Sequence, residues 1–183
     1  MVSAGKFDPA NRTHTQAYAV VIFLPPHLDE LVMPLRERYD PDCNAIPSHV
    51  TLVFELRTAR PLDELARSIT SQVAMVNLFK IELSSIGDFY PAAPFIYWRV
   101  KPNPTLNALY KTLHAQLDIP ISHKEYIPHV TVAKEISPHR VMLVKERIVS
   151  YLPDESFWAN AVDLVSPVAG HWVSVRTFPL NRG

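Results

Sequence analysis

Glycine and cysteine are almost missing from this chain, and each shortage excludes a different chemistry. Only four glycines occur in 183 residues, and they form none of the spaced runs that cradle phosphates in P-loop or dinucleotide-binding proteins. Any phosphate handled here must be held by side chains. Cys43 is the sole cysteine, so no intrachain disulfide and no cysteine-based zinc site can form; a reducing compartment suits it best. Long apolar runs are lacking too. The longest, Ala17–Leu24, falls far short of the roughly 20 residues a membrane helix needs, and Met1–Gln16 has no apolar centre of the kind a signal peptide carries. The expectation is a soluble, cytoplasmic protein without membrane contact. Nor does charge of one sign prevail, since 18 basic side chains balance 18 acidic ones. A protein that tracks along nucleic acid shows a basic face; balance points instead to a small anionic ligand or a nucleic-acid end.

What is present is proline, seventeen times, and an ordinary 48% of hydrophobic residues, enough for one domain with a real core. Residues 1–16 read as a flexible leader. Ala17–Leu24 (AYAVVIFL) is a buried strand ended by Pro25 and Pro26. Leu28, Leu31, Val32 and Leu35 then trace one helical stripe. A strand over His49–Leu56, a helix after Pro61 and a strand over Leu78–Ile86 follow, with Gly87 and Asp88 as a turn. The order repeats: strand Phe95–Val100, a helix capped by Asn103 and Pro104, strand His129–Lys134, and a helix opened by Ser137 and Pro138. Phe157–Val165 and His171–Phe178 close the chain as two more strands. The predicted fold is an α+β single domain, residues 17–183. It is built of two pseudo-symmetric βαβαβ halves, about 17–90 and 91–183, sharing one core with helices outside.

The halves rhyme most closely in IPSHVTL and YIPHVTV, whose histidines, His49 and His129, lie about 80 residues apart; about the same spacing separates the opening strands. On a strand, residues two apart share a face. His49 and Thr51 therefore point one way, and Val50 and Leu52 the other; the same holds for His129 and Thr131 against Val130 and Val132. If a two-fold axis relates the halves, one cavity receives both His-Thr pairs. Two imidazoles near their ordinary pKa of ~6.5 can hold opposite protonation states, one taking a proton from a nucleophile and the other giving one to a leaving oxygen. Threonine hydroxyls can meet the phosphate oxygens on which charge grows. A lone strand histidine is usually structural; a pair recurring with its threonine at matched places favours chemistry. No metal or cofactor is called for: the motif supplies no neighbouring carboxylate ligand, and H-E-x-x-H is absent.

These residues resemble the two-histidine (HxTx) phosphoesterase superfamily, in its branch of cyclic phosphodiesterases and 2'-5' RNA ligase-like proteins. The resemblance rests on HVTL at 49–52, HVTV at 129–132, Tyr126 and Pro128 before the second motif, and FPL at 178–180. It implies a bilobal fold with antiparallel or mixed sheets around a central cleft. The implied activity is metal-independent opening of 2',3'-cyclic phosphates, on small cyclic nucleotides or RNA ends. His49 and His129 would be the acid–base pair, with Thr51 and Thr131 gripping the phosphate. The family often has an arginine after the second motif where this chain has Lys134, which keeps charge without the planar fork. The alternative expectation is a non-catalytic module that binds a nucleotide or RNA end in the same cleft.

Other residues carry weaker expectations. Lys134 shares no face with His129, so it reaches the cleft only where the strand bends or ends. Tyr126 either lines the cleft and stacks on a base or packs internally. Phe54, Tyr90, Tyr97 and Trp98 are expected in the core, Arg57 and Arg60 on the surface, His123 in a solvated loop, and Cys43 as a plain thiol.

Overall fold

The computed structural model describes residues 15–121 and 125–182. Most of the expected leader lies outside these residues, as does His123. Among the described residues, eight strands and four helices follow in the order read from the pattern, with one expected strand divided in two. The first half runs β1 (Gln16–Phe23), α1 (Pro26–Tyr39), β2 (His49–Thr58), α2 (Leu62–Val73) and β3 (Phe79–Asp88). The second runs β4 (Ile96–Val100), α3 (Pro104–Gln116), β5 (His129–Ala133), a 3-10 turn over Pro138–Arg140, α4 (Val141–Val149), β6 (Glu155–Ala159), β7 (Ala161–Val168) and β8 (His171–Pro179). Asn103 caps α3, its side-chain oxygen accepting from the Leu106 N–H at 3.0 Å, with Pro104 just inside the helix.

All eight strands join one curled antiparallel sheet in the order β6-β3-β4-β5-β2-β1-β7-β8. Its two ends approach each other where Asn77 and Asn181 bridge. This order interleaves the halves of the chain. β3, from the first half, lies between β6 and β4, whereas β7 and β8, from the second, extend the sheet beyond β1. The boundary near residue 90 divides the chain but not the sheet. The helices cross over as well: α1 packs on β5 and α3 on β2.

Two local expectations are corrected. Gly87 and Asp88 form no turn; β3 runs through both and pairs with Tyr97 and Ile96 of β4. Glycine stands there because a Cβ would overlap the Tyr97 ring. The stretch read as one strand from Phe157 to Val165 is two, broken at Asn160, with β6 hydrogen-bonded to β3 and β7 to β1 and β8. Apolar content continues across the break, so the pattern concealed it.

The main core lies between the sheet and the helices, and Val20, Ile22, Val50, Leu52, Val130 and Val132 all point into it. On the opposite face Ala19, Val21 and Val165 form a smaller cluster with Phe23, Ile46 and Trp172. Burial on both faces explains why β1 reads as an unbroken apolar run.

Candidate active site

β2 and β5 meet at the centre of the sheet through one register pair, Val50 with Val130. Both valines are fully buried. Carrying that register one residue each way sets His49 across from Thr131 and Thr51 across from His129. All four side chains point away from the helices, since residues two apart on a strand share a face. A single cavity of about 270 Å³ is lined by His49, Thr51, His129 and Thr131 together with Arg36, Ser48 and Lys134. The alternation read from HVTL and HVTV thus holds in space, and the two motifs share one cleft.

Each imidazole is anchored in the same way. Nδ1 of His49 lies 2.8 Å from the carbonyl oxygen of Pro47, and Nδ1 of His129 lies 2.7 Å from that of Ile127. A carbonyl only accepts, so Nδ1 carries the proton in both rings, and in the neutral ring Nε2 is the free, basic edge. Surroundings then differ. His129 meets Phe89 and Tyr97 with ring centroids 5.0 Å away in each case; His49 meets Phe23 edge-on at 6.3 Å. Burial pushes the His49 pKa down from 6.5 to about 4, with further lowering by the charges of Arg36 and Lys134; the Pro47 hydrogen bond opposes this. Burial also lowers His129. Both rings are therefore neutral at pH 7 in the free protein.

Lys134 reaches the cavity because β5 ends at Ala133. Its Nζ sits 3.1 Å from Asp42 and 3.8 Å from Asp40. Tyr126 packs internally: its ring stacks on Tyr110 at 3.9 Å, and its hydroxyl donates to the Thr51 carbonyl at 2.8 Å, bracing the strand that carries Thr51. Its edge also lines an adjoining cavity of about 380 Å³ with Phe54, Phe89 and His129.

Tyr97 and Trp98 are buried, as expected of core residues. Phe54 and Tyr90 are corrections. Tyr90 is half exposed, and Phe54, at 67% exposure, projects into the cleft opposite Trp172. Strand alternation would have put Phe54 with Val50 and Leu52. The β1–β2 register, however, slips between Val20 and Val21, which pair with Val53 and Thr51 and leave Leu52 extra; Leu52 and Val53 are then both buried, and such a bulge re-aims Phe54 to the other face. Arg57 and Arg60 lie outside the cleft in ion pairs with Glu55 and Glu64. Cys43 is a partly buried free thiol. Among the described residues no group of three His, Cys, Asp or Glu side chains is placed to hold a metal.

Arg36, Asp40 and Ser48 are site residues that pattern reading missed. Arg36 lies on the buried stripe of α1 beside Leu28, Val32, Leu35 and Tyr39. An arginine interrupting an apolar stripe, with Asp40 one turn on, was a usable signal.

The chain belongs to the 2'-5' RNA ligase superfamily, whose family model matches residues 24–171. This is the family of phosphoesterases and RNA ligase-like proteins to which the paired motifs pointed. A Geobacillus kaustophilus protein described as a candidate phosphoesterase is 28% identical over 120 residues, covering 65% of this chain and 69% of the relative. A Bacillus thuringiensis protein of the same description is 25% identical over 171 residues, covering 90% and 96%. Escherichia coli LigT, solved with 3'-AMP, superposes with a TM-score of 0.65 at 16% identity, covering 92% of this chain and 100% of LigT. A Thermus thermophilus protein reaches 0.63 at 16% identity, covering 91% and 98%. At such identities these structures show the shared fold.

Proposed function

We propose that this protein is a metal-independent phosphodiesterase that opens 2',3'-cyclic phosphates, at RNA ends or on small cyclic nucleotides, in the cytoplasm. The observation that carries this reading is the common cavity, into which two backbone-anchored imidazoles and two threonine hydroxyls converge. Membership in a phosphoesterase superfamily and the 3'-AMP bound to LigT support a nucleotide substrate.

In this mechanism Nε2 of His49 takes a proton from water as its oxygen bonds to phosphorus. The bond from phosphorus to one ribose oxygen breaks, and that oxygen receives a proton from Nε2 of His129. Thr51 and Thr131 donate to the non-bridging oxygens as their charge grows. His129 needs a proton it lacks in the free protein, and the arriving phosphate anion supplies the opposite charge that raises its pKa. His49 is the base because its burial, and after it the positive side chains of Arg36 and Lys134, keep it unprotonated.

The test is incubation with 2',3'-cyclic mononucleotides in excess chelator, followed by phosphorus NMR. A monoester signal is expected. His49→Ala and His129→Ala should each lose about 10²–10⁴-fold in rate, the usual worth of a general acid or base. A shifted but unconverted signal in the parent protein would instead identify a binding module, and full activity in a folded His→Ala variant would remove the mechanism.

A further inference from the structure

The cation best placed to meet a phosphate lies in neither motif; it stands behind His49. Arg36 is 3% exposed yet lines the cavity of the two histidines. A buried guanidinium has five N–H donors to satisfy. Nε donates to Asp40 Oδ2 at 3.1 Å, and Nη1 donates to Ser48 Oγ at 3.1 Å. Ser48 is held in turn, its N–H donating to Asp29 at 2.9 Å. Asp40 is fully buried and accepts from the Asp42 N–H at 3.0 Å. The guanidinium is therefore held at Nε and at Nη1 by two different partners, and among the described residues Nη2 forms no hydrogen bond.

Lys134 is a poorer candidate for the same task. Its ammonium is already engaged by Asp42 and Asp40, and a lysine offers a mobile point charge, not a planar pair of donors.

We propose that Arg36 is a phosphate-binding residue of the cleft, its unpartnered Nη2 donating to a non-bridging oxygen of an anion seated between His49 and His129. This deepens the phosphodiesterase reading and rests on it for the chemistry, but anion binding by Arg36 can be measured without turnover. The carboxylate of Asp40 and the hydroxyl of Ser48 aim the guanidinium; they do not touch the anion.

The experiment uses the full chain and inorganic phosphate, titrated by calorimetry. Two variants are compared with the parent. Arg36→Lys keeps the charge and removes the fork. The double variant Arg36→Gln with Asp40→Asn removes both buried charges, so no carboxylate is left unpaired in the interior and the net charge of the protein is unchanged. If Arg36 binds the anion, both variants weaken phosphate affinity roughly tenfold or more, while the double variant melts cooperatively near the parent temperature. If Arg36 serves only to neutralise Asp40, the double variant binds phosphate as the parent does, and the proposal is overturned. Binding that depends on Arg36 in a protein that hydrolyses no cyclic phosphate would leave this proposal standing and remove the phosphodiesterase reading. Hydrolysis with binding indifferent to Arg36 would do the reverse.

Discussion

His49 and His129 occupy equivalent places in equivalent strands, yet they do not face the same charges. Arg36 and Lys134 act on His49, whereas His129 is bordered by the rings of Phe89 and Tyr97. The proposed reaction needs His49 unprotonated and His129 protonated. In the free protein His49 gains a proton only near pH 4, so kcat/KM should fall on the acid side there. His129 loses its proton below its ordinary 6.5, so kcat/KM should also fall as pH rises through that lower value. The expected profile is a bell with its maximum on the acid side of neutrality. The alkaline limb of kcat should lie at higher pH than that of kcat/KM, because the bound anion holds the His129 proton. Initial rates measured across pH 4–8 check this; an alkaline limb at the same pH in both would mean that substrate charge does not reach His129.

At the scale of elements, Gly87 matters through its neighbour. A methyl group there meets the Tyr97 ring, which lies against His129. Gly87→Ala should cost about 1–3 kcal/mol as an overpacked site and lower kcat by displacing His129. Gly170→Ala is the control: its φ of +83° makes alanine strained, but nothing lies within 4 Å of the added carbon, so stability should drop by about 1 kcal/mol with activity unchanged. Melting curves and initial rates on both variants separate the two effects. This contrast also marks what was legible beforehand. The periods of 2 and 3.6 placed every helix and put His49, Thr51, His129 and Thr131 on one face, because alternation is a property of a single strand. What remained hidden depends on the partner strand. The slip that turns Phe54 outward, the approach that demands Gly87 and the break at Asn160 are set by neighbours distant in sequence. Arg36 differs: the stripe of α1 signals a buried arginine, but the cleft it lines forms only once α1 is laid across β5.

The whole molecule is held together by exchange between its halves. β3 needs β4 and β6 on either side, and β1 needs β7. Fragments 1–90 and 91–183 should each lack a cooperative melting transition, since each leaves sheet edges and one side of the helix-facing core uncovered. Mixing them should restore the transition and any cyclic-phosphate activity together; circular dichroism and the phosphorus assay on the same samples test this. Independent folding of either fragment would show that the crossed strands are dispensable. Among the described residues no helix is long and apolar enough to cross a membrane.

The one register pair of β2 with β5, Val50 with Val130, lies where a two-fold axis would pass, and this has a bearing on the protein's history. Had the ancestor been a pair of identical one-motif chains, its two active rings would have been copies, each obliged to serve equally as acid and as base. Joining the copies in one polypeptide releases that constraint. One ring could then acquire cations for company and the other aromatic walls, so that division of labour arose without either strand leaving its place.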